Sequence, residues 1–403
     1  MRLASVEEGV AAFRAGRFVV VVDDESRENE GDLILSAEGA TPEKLGFMVR
    51  HTSGILCLPL LEERLRELSI PMMVSQNTDA RKTAFTVSVD YRHGTTTGIS
   101  AADRAATVLA AIDPESAPTD FSRPGHIFPL RYQRGGVLSR PGHTEATIDL
   151  ARLAGCYPGG VLAELVNDDG SMKRLPALLD FAAEHDLPVI TIADLIRHRF
   201  RNERLVRRRG VARLPTEFGE FRAIGYESTW DGLQHLALVA GDVAGRDRIL
   251  VRVHSECLTG DVFSSLRCDC GFQLRDAMAS LGREGTGVLL YLRGHEGRGI
   301  GLLHKIAAYE LQDRGRDTVQ ANEDLGLPAD ARNYGVSAQI LQDLEVRSIR
   351  LLTNNPVKRS EIERFGIEIS ERLPLLVEPN DENRRYLRTK ELKLGHRLGL
   401  GKG

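Results

Sequence analysis

Hydrophobic residues recur at alternating helical and strand spacing through the first half of the chain. Val6, Val10 and Phe13 share one face of a predicted helix, and Ser5 stands at its start as the first residue of a capping box. The apolar run at 18–22 predicts a buried strand that leads into an acidic stretch. Further helices are predicted after Thr41, Ser100 and Thr144, and further strands near 160–165 and 187–192. This mixture indicates a layered domain in which helices flank a sheet.

The second half begins again with strand patterns and then alternates helix and strand. Strands are predicted at 220–226, 234–241 and 249–254, alternation extends from 272 to 371, and a charged helix follows at 381–393. No internal repeat relates the halves, so we predict two different domains. We therefore expect a mixed α/β (α+β) protein with layered domains at 1–200 and 201–403, joined by a solvated, arginine-rich connector at 204–209.

Composition and charge narrow the class of protein. With 403 residues, 42% hydrophobic and 27% charged, the chain is typical of a globular protein with two or three domains. Residues 1–200 hold 21 Lys and Arg against 28 Asp and Glu, whereas 201–403 hold 32 against 29. This slight basic excess in the second half suits a small anionic substrate and is too weak to indicate nucleic-acid binding.

The same composition gives a prediction of location. No apolar run approaches the ~20 residues of a membrane-spanning helix, and the first residues lack the apolar core of a signal peptide. Five cysteines, three of them clustered beside polar residues, favour a metal site over a disulfide framework. We therefore predict a cytoplasmic protein that binds metal and has no membrane partner.

The three clustered cysteines are Cys257, Cys268 and Cys270. Three thiolates leave one tetrahedral position of a zinc ion free, which is typical of a catalytic zinc site and not of a structural one. The alternative is three unrelated buried thiols, since free cysteine is among the most buried residue types. Charged and polar neighbours disfavour that alternative: Arg252, His254, Glu256, Arg267 and Asp269.

An acidic segment of the first half is a second candidate metal site. In an extended strand, Glu28, Glu30 and Asp32 would share one face beside Arg27. Three carboxylates on one face repel one another unless a cation joins them, and oxygen ligands suit Mg²⁺ or Mn²⁺. The alternative is a solvated acidic turn.

The sequence Arg-Pro-Gly-His occurs twice, at 123–126 and 140–143. Each copy places a histidine, His126 or His143, directly after a turn that fixes its direction. Thr144 is then predicted to begin a helix whose N-terminal amides, together with Arg140, would hold a phosphate. The alternative for each histidine is a polar residue that is satisfied by its neighbours.

After the cysteines, a predicted strand leads into a glycine-rich turn and a helix within 291–322. Backbone amides in such a turn can hold phosphates, although a tight strand-to-helix turn is the alternative and the pattern is not a P-loop. Two later loops carry further polar residues, Asp330 with Arg332 and Thr353 with Lys358. An isolated Asp–Arg pair is most often a surface ion pair of little energetic value.

The first half resembles the 3,4-dihydroxy-2-butanone 4-phosphate synthase family in the strings RENEGDLI, HTSGI, FTVSVD, TGISAADRA, RPGHIFPL, RPGHTEA and NDDG. The resemblance implies that Glu28 and His143 hold two Mg²⁺ or Mn²⁺ ions and that His126 and Glu164 are needed for turnover. It implies that ribulose 5-phosphate is bound by Arg27, Glu28, Asp32, Arg140, Pro141, Gly142, His143, Thr144 and Glu164. The implied products are the four-carbon phosphate and formate.

The second half resembles the GTP cyclohydrolase II family in RVHSECLTGDVF, SLRCDCGFQL, EGRGIGL, DTVQAN and TNNP. The resemblance makes Cys257, Cys268 and Cys270 the ligands of one zinc ion. It implies that GTP is bound by Arg252, Val253, His254, Ser255, Glu256, Gln273, Glu296, Gly297, Arg298, Thr318, Thr353 and Lys358. It further implies that Asp330 accepts a proton, that Arg332 attacks the α-phosphorus or stabilises its charge, and that Tyr309 lies near the reacting ring.

Together the two resemblances predict a bifunctional enzyme that supplies both precursors of riboflavin, and family resemblance adds the expectation of a homodimer. One alternative is that one half is catalytically silent and is retained as an interaction or dimerisation scaffold. Another is that the cysteines form a nucleic-acid-binding zinc knuckle. The knuckle lacks a fourth ligand at the right spacing, and aromatic residues for base stacking make up only 5% of the chain.

Overall fold

The structure is a computed structural model that describes residues 2–25, 27–79, 81–328, 330 and 332–399. It divides into two compact units, Met1–Arg199 and Phe200–Gly403. The predicted domain ranges also include residues 1 and 400–403, which lie outside the described residues. No helix in the described ranges is long and apolar enough to cross a membrane.

The first unit is built on a seven-stranded mixed sheet in the order β4-β5-β3-β6-β2-β1-β7. Its strands are β1 Val19–Val22, β2 Gly31–Ser36, β3 Cys57–Leu60, β4 Val89–Tyr91, β5 Phe121–Arg131, β6 Gly160–Glu164 and β7 Val189–Thr191. Its helices are α1 Val6–Arg14, α2 Pro42–His51, α3 Glu62–Glu67, α4 Ala101–Ile112, α5 His143–Ala154, α6 Leu175–Glu184 and α7 Ile192–Asn202.

Strand β1 shows why this sheet is buried on both faces. Its four residues are all valine, and successive side chains of a strand point to opposite faces. Val20 packs in a core with α2, α4 and α6, whereas Val21 packs in a second core with α1 and α5. The first unit therefore has three layers, helix, sheet and helix, as the alternating pattern predicted.

The second unit contains a second seven-stranded sheet in the order β14-β13-β11-β12-β10-β9-β8. Its strands are β8 Val206–Thr216, β9 Gly219–Ser228, β10 Gln234–Ala240, β11 Ile249–Ser255, β12 Gly287–Leu292, β13 Ser348–Leu352 and β14 Glu368–Leu373. Its helices are α8 Leu258–Asp261, α9 Cys270–Glu284, α10 Leu302–Asp313, α11 Thr318–Asp324, α12 Gly335–Asp343, α13 Pro356–Arg364 and α14 Arg384–Leu394.

Strand direction in this second sheet sets where its loops meet. Strands β11, β12, β13 and β14 run parallel, while β8, β9 and β10 form an antiparallel meander joined to β12. Ligands of open α/β sheets bind outside the carboxyl ends of the parallel strands. The cysteine segment follows β11, the glycine-rich turn follows β12 and the Thr353 loop follows β13, so all three lie at that end.

Several predicted helix starts are confirmed by their caps. Ser5 Oγ accepts a hydrogen bond from the Glu8 amide at 3.2 Å, and the Glu8 carboxylate accepts one from the Ser5 amide at 2.6 Å. Thr41 and Ser100 cap α2 and α4 more simply, because the side chain of each accepts one hydrogen bond, from the Lys44 amide and the Asp103 amide. The start at Thr144 is wrong by one residue, because α5 begins at His143 after Gly142.

Two other predictions are corrected by the backbone. The segment 204–209 is not a connector, because β8 begins at Val206 and pairs with β9 along its whole length. The acidic segment is not one strand, because Glu28 and Glu30 precede β2, in which Asp32 is the second residue. Both predictions failed because the segments lack apolar periodicity. The segment 204–209 leads into an exposed, charged strand, and the acidic segment contains a tight polar turn.

Candidate active sites

A polar cleft in the first unit is centred on His143, the first residue of α5. The imidazole is buried, and its Nε2 donates to the carbonyl oxygen of Val21 at 3.1 Å. That bond leaves Nδ1 facing two carboxylates, 3.8 Å from Glu28 Oε2 and 3.7 Å from Asp32 Oδ1. A histidine whose second nitrogen is held by a carbonyl is the usual arrangement of a metal ligand.

The turn before β2 brings Glu28 to this histidine, and Asp23 organises the turn. Asp23 accepts hydrogen bonds from Arg27 Nη1 at 2.9 Å, the Glu28 amide at 3.1 Å and the Glu30 amide at 2.9 Å. Arg27 also donates to Glu28 Oε2 at 2.5 Å. One ligand atom each of Asp23, Glu28 and His143 lie within 4.8 Å of one another, a spacing at which one cation can be held.

Strand pairing places two more carboxylates in the cleft. Asp32 on β2 lies directly opposite Glu164 on β6 in the antiparallel register. Burial raises the pKa of Asp32 to about 8, even though His143 opposes this, and Asp32 Oδ1 has no hydrogen-bond partner among the described residues. Burial lowers the pKa of His143, but Asp32 and Glu28 outweigh it and raise the pKa to about 9. The carboxyl groups of Glu28 and Asp32 thus converge on one buried imidazole, an arrangement that fits a divalent cation.

The opposite wall of the cleft is cationic. Arg140 donates to Glu145 at 2.7 Å and to Thr83 Oγ1 at 3.0 Å, which fixes its guanidinium at the start of α5. A Cβ at Gly142 would lie 2.5 Å from Arg140 Nη1, so a side chain there would displace this guanidinium. Thr144 also lines the cleft. A fixed guanidinium beside a helix N-terminus can bind a phosphate.

His126, the other predicted histidine, is held away from this cleft. Its Nδ1 lies 2.7 Å from Asp90 Oδ2, and its backbone amide donates to Asp90 Oδ1 at 2.8 Å. In the part of the chain that the structure describes, the residues lining the cleft include Glu164 but not His126. Within one chain, the structure therefore brings together the predicted metal and phosphate residues without this histidine.

The second unit contains a cavity at the carboxyl ends of β11, β12 and β13, with the three cysteines in its wall. The sulfurs of Cys257 and Cys268 are 3.7 Å apart, and all three sulfurs lie within 4.8 Å of one another. Gly260 is necessary between them, because a Cβ there would lie 2.9 Å from Cys268 Sγ. Three converging sulfurs, with no fourth ligand grouped with them among the described residues, fit a zinc ion with one open position.

Lys305 on α10 is the cation beside these sulfurs. Its Nζ lies 3.1 Å from Cys257 Sγ, 2.9 Å from Thr259 Oγ1 and 2.6 Å from Glu296 Oε1. Hydrogen bonds from the neighbouring thiols and the charge of Lys305 lower the pKa of Cys257 despite its burial. Hydrogen bonds with Cys257 raise the pKa of Cys268 and Cys270, so it is at Cys257 that the site favours a thiolate, the form in which cysteine binds metal.

A chain of polar contacts leads from the cysteines to β11. Arg252 donates to Gln273 Oε1 at 2.7 Å, and Gln273 Nε2 donates to Asp269 Oδ2 at 2.7 Å. His254 on the same strand bonds Asp261 at 3.0 Å, while its Nδ1 is buried without a partner among the described residues. These contacts fix the side chains of Arg252, Gln273 and His254 along one edge of the cavity.

A third wall carries Arg332 and Lys358. Arg332 forms a two-pronged pair with Asp330 at 2.8 and 2.5 Å. Lys358 is buried and donates to the Val253 carbonyl at 2.8 Å; burial and the charge of Arg252 lower its pKa. His295 stays neutral because burial and these cations lower its pKa to about 3. Cations concentrated in one cavity suit a polyphosphate.

Most predicted nucleotide residues line this cavity. The structure brings together Arg252, His254, Ser255, Glu256, Gln273, Gly297, Arg298, Tyr309, Thr318, Arg332, Thr353 and Lys358 with the three cysteines. Val253 is one exception: its side chain is fully buried in β11, and its carbonyl accepts a hydrogen bond from Lys358. Glu296 and Asp330 are the others: each is paired with a residue that does line the cavity, Glu296 with Lys305 and Asp330 with Arg332.

Comparisons with known proteins agree with this division. Residues 7–198 match the family model described as 3,4-dihydroxy-2-butanone 4-phosphate synthase, and residues 207–374 match that of GTP cyclohydrolase II. The riboflavin biosynthesis protein RibBA of Salinispora arenicola is 61% identical over 98% of this chain and 94% of its own length. The chain belongs to the bifunctional riboflavin biosynthesis protein family. It is therefore both a lyase and a hydrolase.

Other members of this riboflavin family, and one solved structure, are similar over nearly the whole chain. The chloroplastic RIBA 1 of Arabidopsis thaliana is 56% identical over 98% of this chain and 74% of its own length. The crystal structure of RibBX from A. baumannii, described as a two-domain 3,4-dihydroxy-2-butanone 4-phosphate synthase, has a TM-score of 0.72 and 38% identity. It covers 92% of this chain and 99% of its own. The mixed α/β class is thus shared with an experimentally solved relative.

Sequence reasoning missed residues of this riboflavin enzyme that act through others. Asp23 was part of the acidic stretch but gave no separate signal, because its role depends on the folded turn. Lys305 lies 48 positions after Cys257, and only the placement of α10 brings its ammonium to the sulfur. Gly260 follows Cys257 by three positions. A glycine so close to a candidate ligand is the one sequence signal for a close approach between the backbone and the sulfurs.

Proposed function

We propose that the range 1–200 converts ribulose 5-phosphate to 3,4-dihydroxy-2-butanone 4-phosphate and formate. The range 201–403 would hydrolyse GTP to 2,5-diamino-6-(5-phosphoribosylamino)pyrimidin-4-one, formate and pyrophosphate. The observation that carries the proposal is that each unit has its own cluster of candidate metal ligands. Glu28 and His143 line the cleft of the first unit, and the three cysteines line the cavity of the second.

In the first unit, we propose that Glu28 and His143 hold Mg²⁺ or Mn²⁺, two ions for each site. Two atoms support a cation there: the Asp32 oxygen that has no hydrogen-bond partner among the described residues, and His143 Nδ1, which faces Glu28 and Asp32 and is not held by the backbone. Bound divalent ions supply Lewis-acid polarisation of a ketone and its neighbouring hydroxyls. Arg140 and the amides that begin α5 would hold the phosphate, so the sugar carbons would lie over the carboxylates.

Proton transfers in the first unit would fall to Asp32 and Glu164. The raised pKa of Asp32 allows this carboxyl group to carry a proton near neutral pH, whereas Glu28 has its pKa lowered to about 2, since His143 and Arg27 outweigh burial. Carboxylates with pKa values driven apart by their surroundings can divide acid and base roles between them. Glu164 accepts a hydrogen bond from Ser53 at 2.7 Å, which holds it at the cleft.

A homodimer would account for the position of His126. The imidazole is paired with Asp90 and is partly exposed outside the cleft of its own chain. We propose that His126 completes a site of a second copy, so that each cleft draws residues from two chains. The expected dimer and the cytoplasmic location both stay predictions.

In the second unit, we propose that Cys257, Cys268 and Cys270 hold one zinc ion. A zinc ion held by these sulfurs would supply Lewis-acid activation of water for attack on C8 of guanine near neutral pH. Arg252, Arg298 and Lys358 would bind the triphosphate, and Tyr309, 3.4 Å from Thr259, would lie beside the reacting ring.

Arg332 is proposed to stabilise charge and not to act as a nucleophile. Burial lowers the pKa of its guanidinium, but Tyr334 and Asp330 outweigh burial and raise it. A guanidinium that stays protonated has no lone pair for attack on phosphorus. Both prongs of the pair with Asp330 direct it as a fixed cation toward the phosphates.

The decisive experiment measures formate release separately with ribulose 5-phosphate plus Mg²⁺ and with GTP plus Mg²⁺, on protein whose metal content is known. We expect formate from both substrates, pyrophosphate only from GTP, and one zinc per chain. Silence with one substrate would instead support a scaffold role for that half. Full GTP turnover by protein free of zinc would exclude the zinc mechanism.

A further inference from the structure

Helix α14 lies outside the range that matches the cyclohydrolase model, yet it lines the proposed nucleotide cavity. The match ends at residue 374, whereas α14 spans Arg384–Leu394. Tyr386 and Lys390 on this helix, and His396 just after it, are in the cavity wall together with the cysteines. Helix α14 and the residues just after it therefore lie close enough to the proposed nucleotide site to affect the reaction there.

Lys390 makes the most specific contact of this helix. Its ammonium lies 2.6 Å from Asp269 Oδ1, and both side chains are at least 90% buried. Asp269 stands between Cys268 and Cys270 in the chain, so this ion pair fixes α14 to the cysteine segment. A buried pair of this kind is costly to break, because the remaining charge has no partner and little water.

The second oxygen of Asp269 extends this contact to the substrate-binding wall. It accepts a hydrogen bond from Gln273 Nε2 at 2.7 Å, and Gln273 Oε1 in turn accepts one from Arg252 Nη2 at 2.7 Å. Lys390 occupies Oδ1, which leaves Oδ2 for the amide. The order of these bonds determines which atom of the Gln273 amide faces Arg252.

Other contacts hold α14 in this place. Leu387 is buried, and Lys393 pairs at 2.6 Å with Asp317, the residue that caps α11. After the helix, the Arg397 amide donates to the Asn354 carbonyl at 2.9 Å. The helix is thus fixed to two loops of the cavity by bonds that do not involve Lys390.

We propose that Lys390 is a positioning residue of GTP hydrolysis, which orients Gln273 and Arg252 through Asp269, and that α14 is a functional part of the nucleotide site. The proposal rests on the GTP-hydrolysing function proposed above for this unit. Because the family resemblance assigns Gln273 and Arg252 to nucleotide binding and not to zinc, loss of Lys390 is expected to weaken nucleotide binding more than the chemical step.

The test replaces Lys390 by methionine, which keeps the aliphatic length and removes the charge. Lys390→Met is expected to raise the KM for GTP about tenfold, the lower end of the ~10–100-fold cost of losing an outer partner, with a smaller change in kcat. Gln273→Leu and the double variant complete a cycle. If Lys390 acts through Gln273, the double variant has the KM of Gln273→Leu alone; multiplied effects would overturn the proposal.

Matched measurements distinguish a positioning role of Lys390 from a role in the stability of the fold. Arg384→Met removes a cation from the first residue of the same helix, at an exposed pair with Asp381 outside the cavity wall, and is expected to leave the KM unchanged. Zinc content and thermal unfolding are measured for every variant. If Lys390→Met loses zinc, or unfolds at a far lower temperature than Arg384→Met, the residue is merely structural and the proposal fails. Wild-type protein that does not hydrolyse GTP would refute the proposed function itself, whereas an active wild type with an unchanged Lys390→Met refutes only this inference.

Discussion

At the scale of single residues, the two candidate sites differ in the charge that surrounds their candidate metal ligands. In the first unit, Glu28, Asp32 and Glu164 converge on one histidine, and Arg27 and Arg140 line another part of the cleft. The cavity of the second unit surrounds its sulfurs with lysine and arginine side chains, which suits three phosphates. We therefore expect the two activities to depend on different metals and to respond to different substitutions.

Replacing Cys268 by serine tests this separation. A hydroxyl is a far weaker zinc ligand than a thiolate, so formate release from GTP is expected to fall by more than about 100-fold, beyond the cost of losing an outer-shell partner. Formate release from ribulose 5-phosphate is expected to stay unchanged. Elemental analysis should show loss of zinc; a Cys268→Ser protein that hydrolyses GTP normally would contradict the assignment.

The reciprocal variant, His143→Ala, serves as the matched control. It removes the Nδ1 that faces Glu28 and Asp32, so only the Mg²⁺-dependent reaction is expected to stop. Parallel loss of both activities in either variant would show that the units do not work independently.

How far the sequence predicts these residues depends on how their partners are spread along the chain. The three cysteines lie within 14 positions, so their spacing alone indicated a metal site. Glu28 and His143 are 115 positions apart, and only resemblance to a known family joined them. Lys305 and Lys390 act through contacts made by distant helices, which no local pattern predicts.

At the scale of elements, strand β8 depends on a single carboxylate of α12. Asp343 accepts hydrogen bonds from Arg208 at 2.7 Å and from the Tyr226 hydroxyl at 2.7 Å, and it pairs with Arg204 at 3.3 Å. Tyr226 on β9 is almost fully buried. This cluster explains why an arginine-rich segment forms an ordered edge strand when its composition predicted a solvated connector.

Replacing Asp343 by alanine should therefore destabilise the second unit. Leaving the buried Tyr226 hydroxyl without a partner costs about 1–3 kcal/mol of unfolding free energy. Fluorescence of Trp230, the one tryptophan of the chain, would follow urea unfolding of this unit. Asp242→Ala, which removes the carboxylate of an exposed pair with Arg246, is the control and should change the unfolding free energy by less than about 0.5 kcal/mol. Equal effects of the two substitutions would contradict the role given to the cluster.

At the scale of the whole molecule, each unit has its own sheet and its own core. The predicted boundary at 200–201 is close to the division of the structure after Arg199, but a cut near residue 208 would interrupt β8. Phe200 belongs to the second unit, since its ring centroid lies 4.7 Å from that of Phe365 and 5.7 Å from that of Trp230.

Three fragments test whether the units fold alone and where the second unit begins. A fragment of residues 200–403 is expected to hydrolyse GTP, whereas one of residues 206–403 lacks the buried Phe200 ring and should lose about 3–5 kcal/mol of unfolding free energy. Fragment 1–199 keeps the Arg199–Asp149 pair at 2.7 Å and is expected to release formate from ribulose 5-phosphate. Urea unfolding and both assays provide the measurements; similar stability of 200–403 and 206–403 would contradict the role of Phe200.

The direct pairing of Asp32 with Glu164 across β2 and β6 has one further consequence. Residues opposite each other in an antiparallel pair have Cβ atoms about 4.5–5.5 Å apart whatever their side chains are. Main-chain bonding, and not the acids themselves, therefore determines this separation. Replacing either acid by another polar group would therefore change the reactivity of the pocket and leave the distance between the two Cβ atoms unchanged.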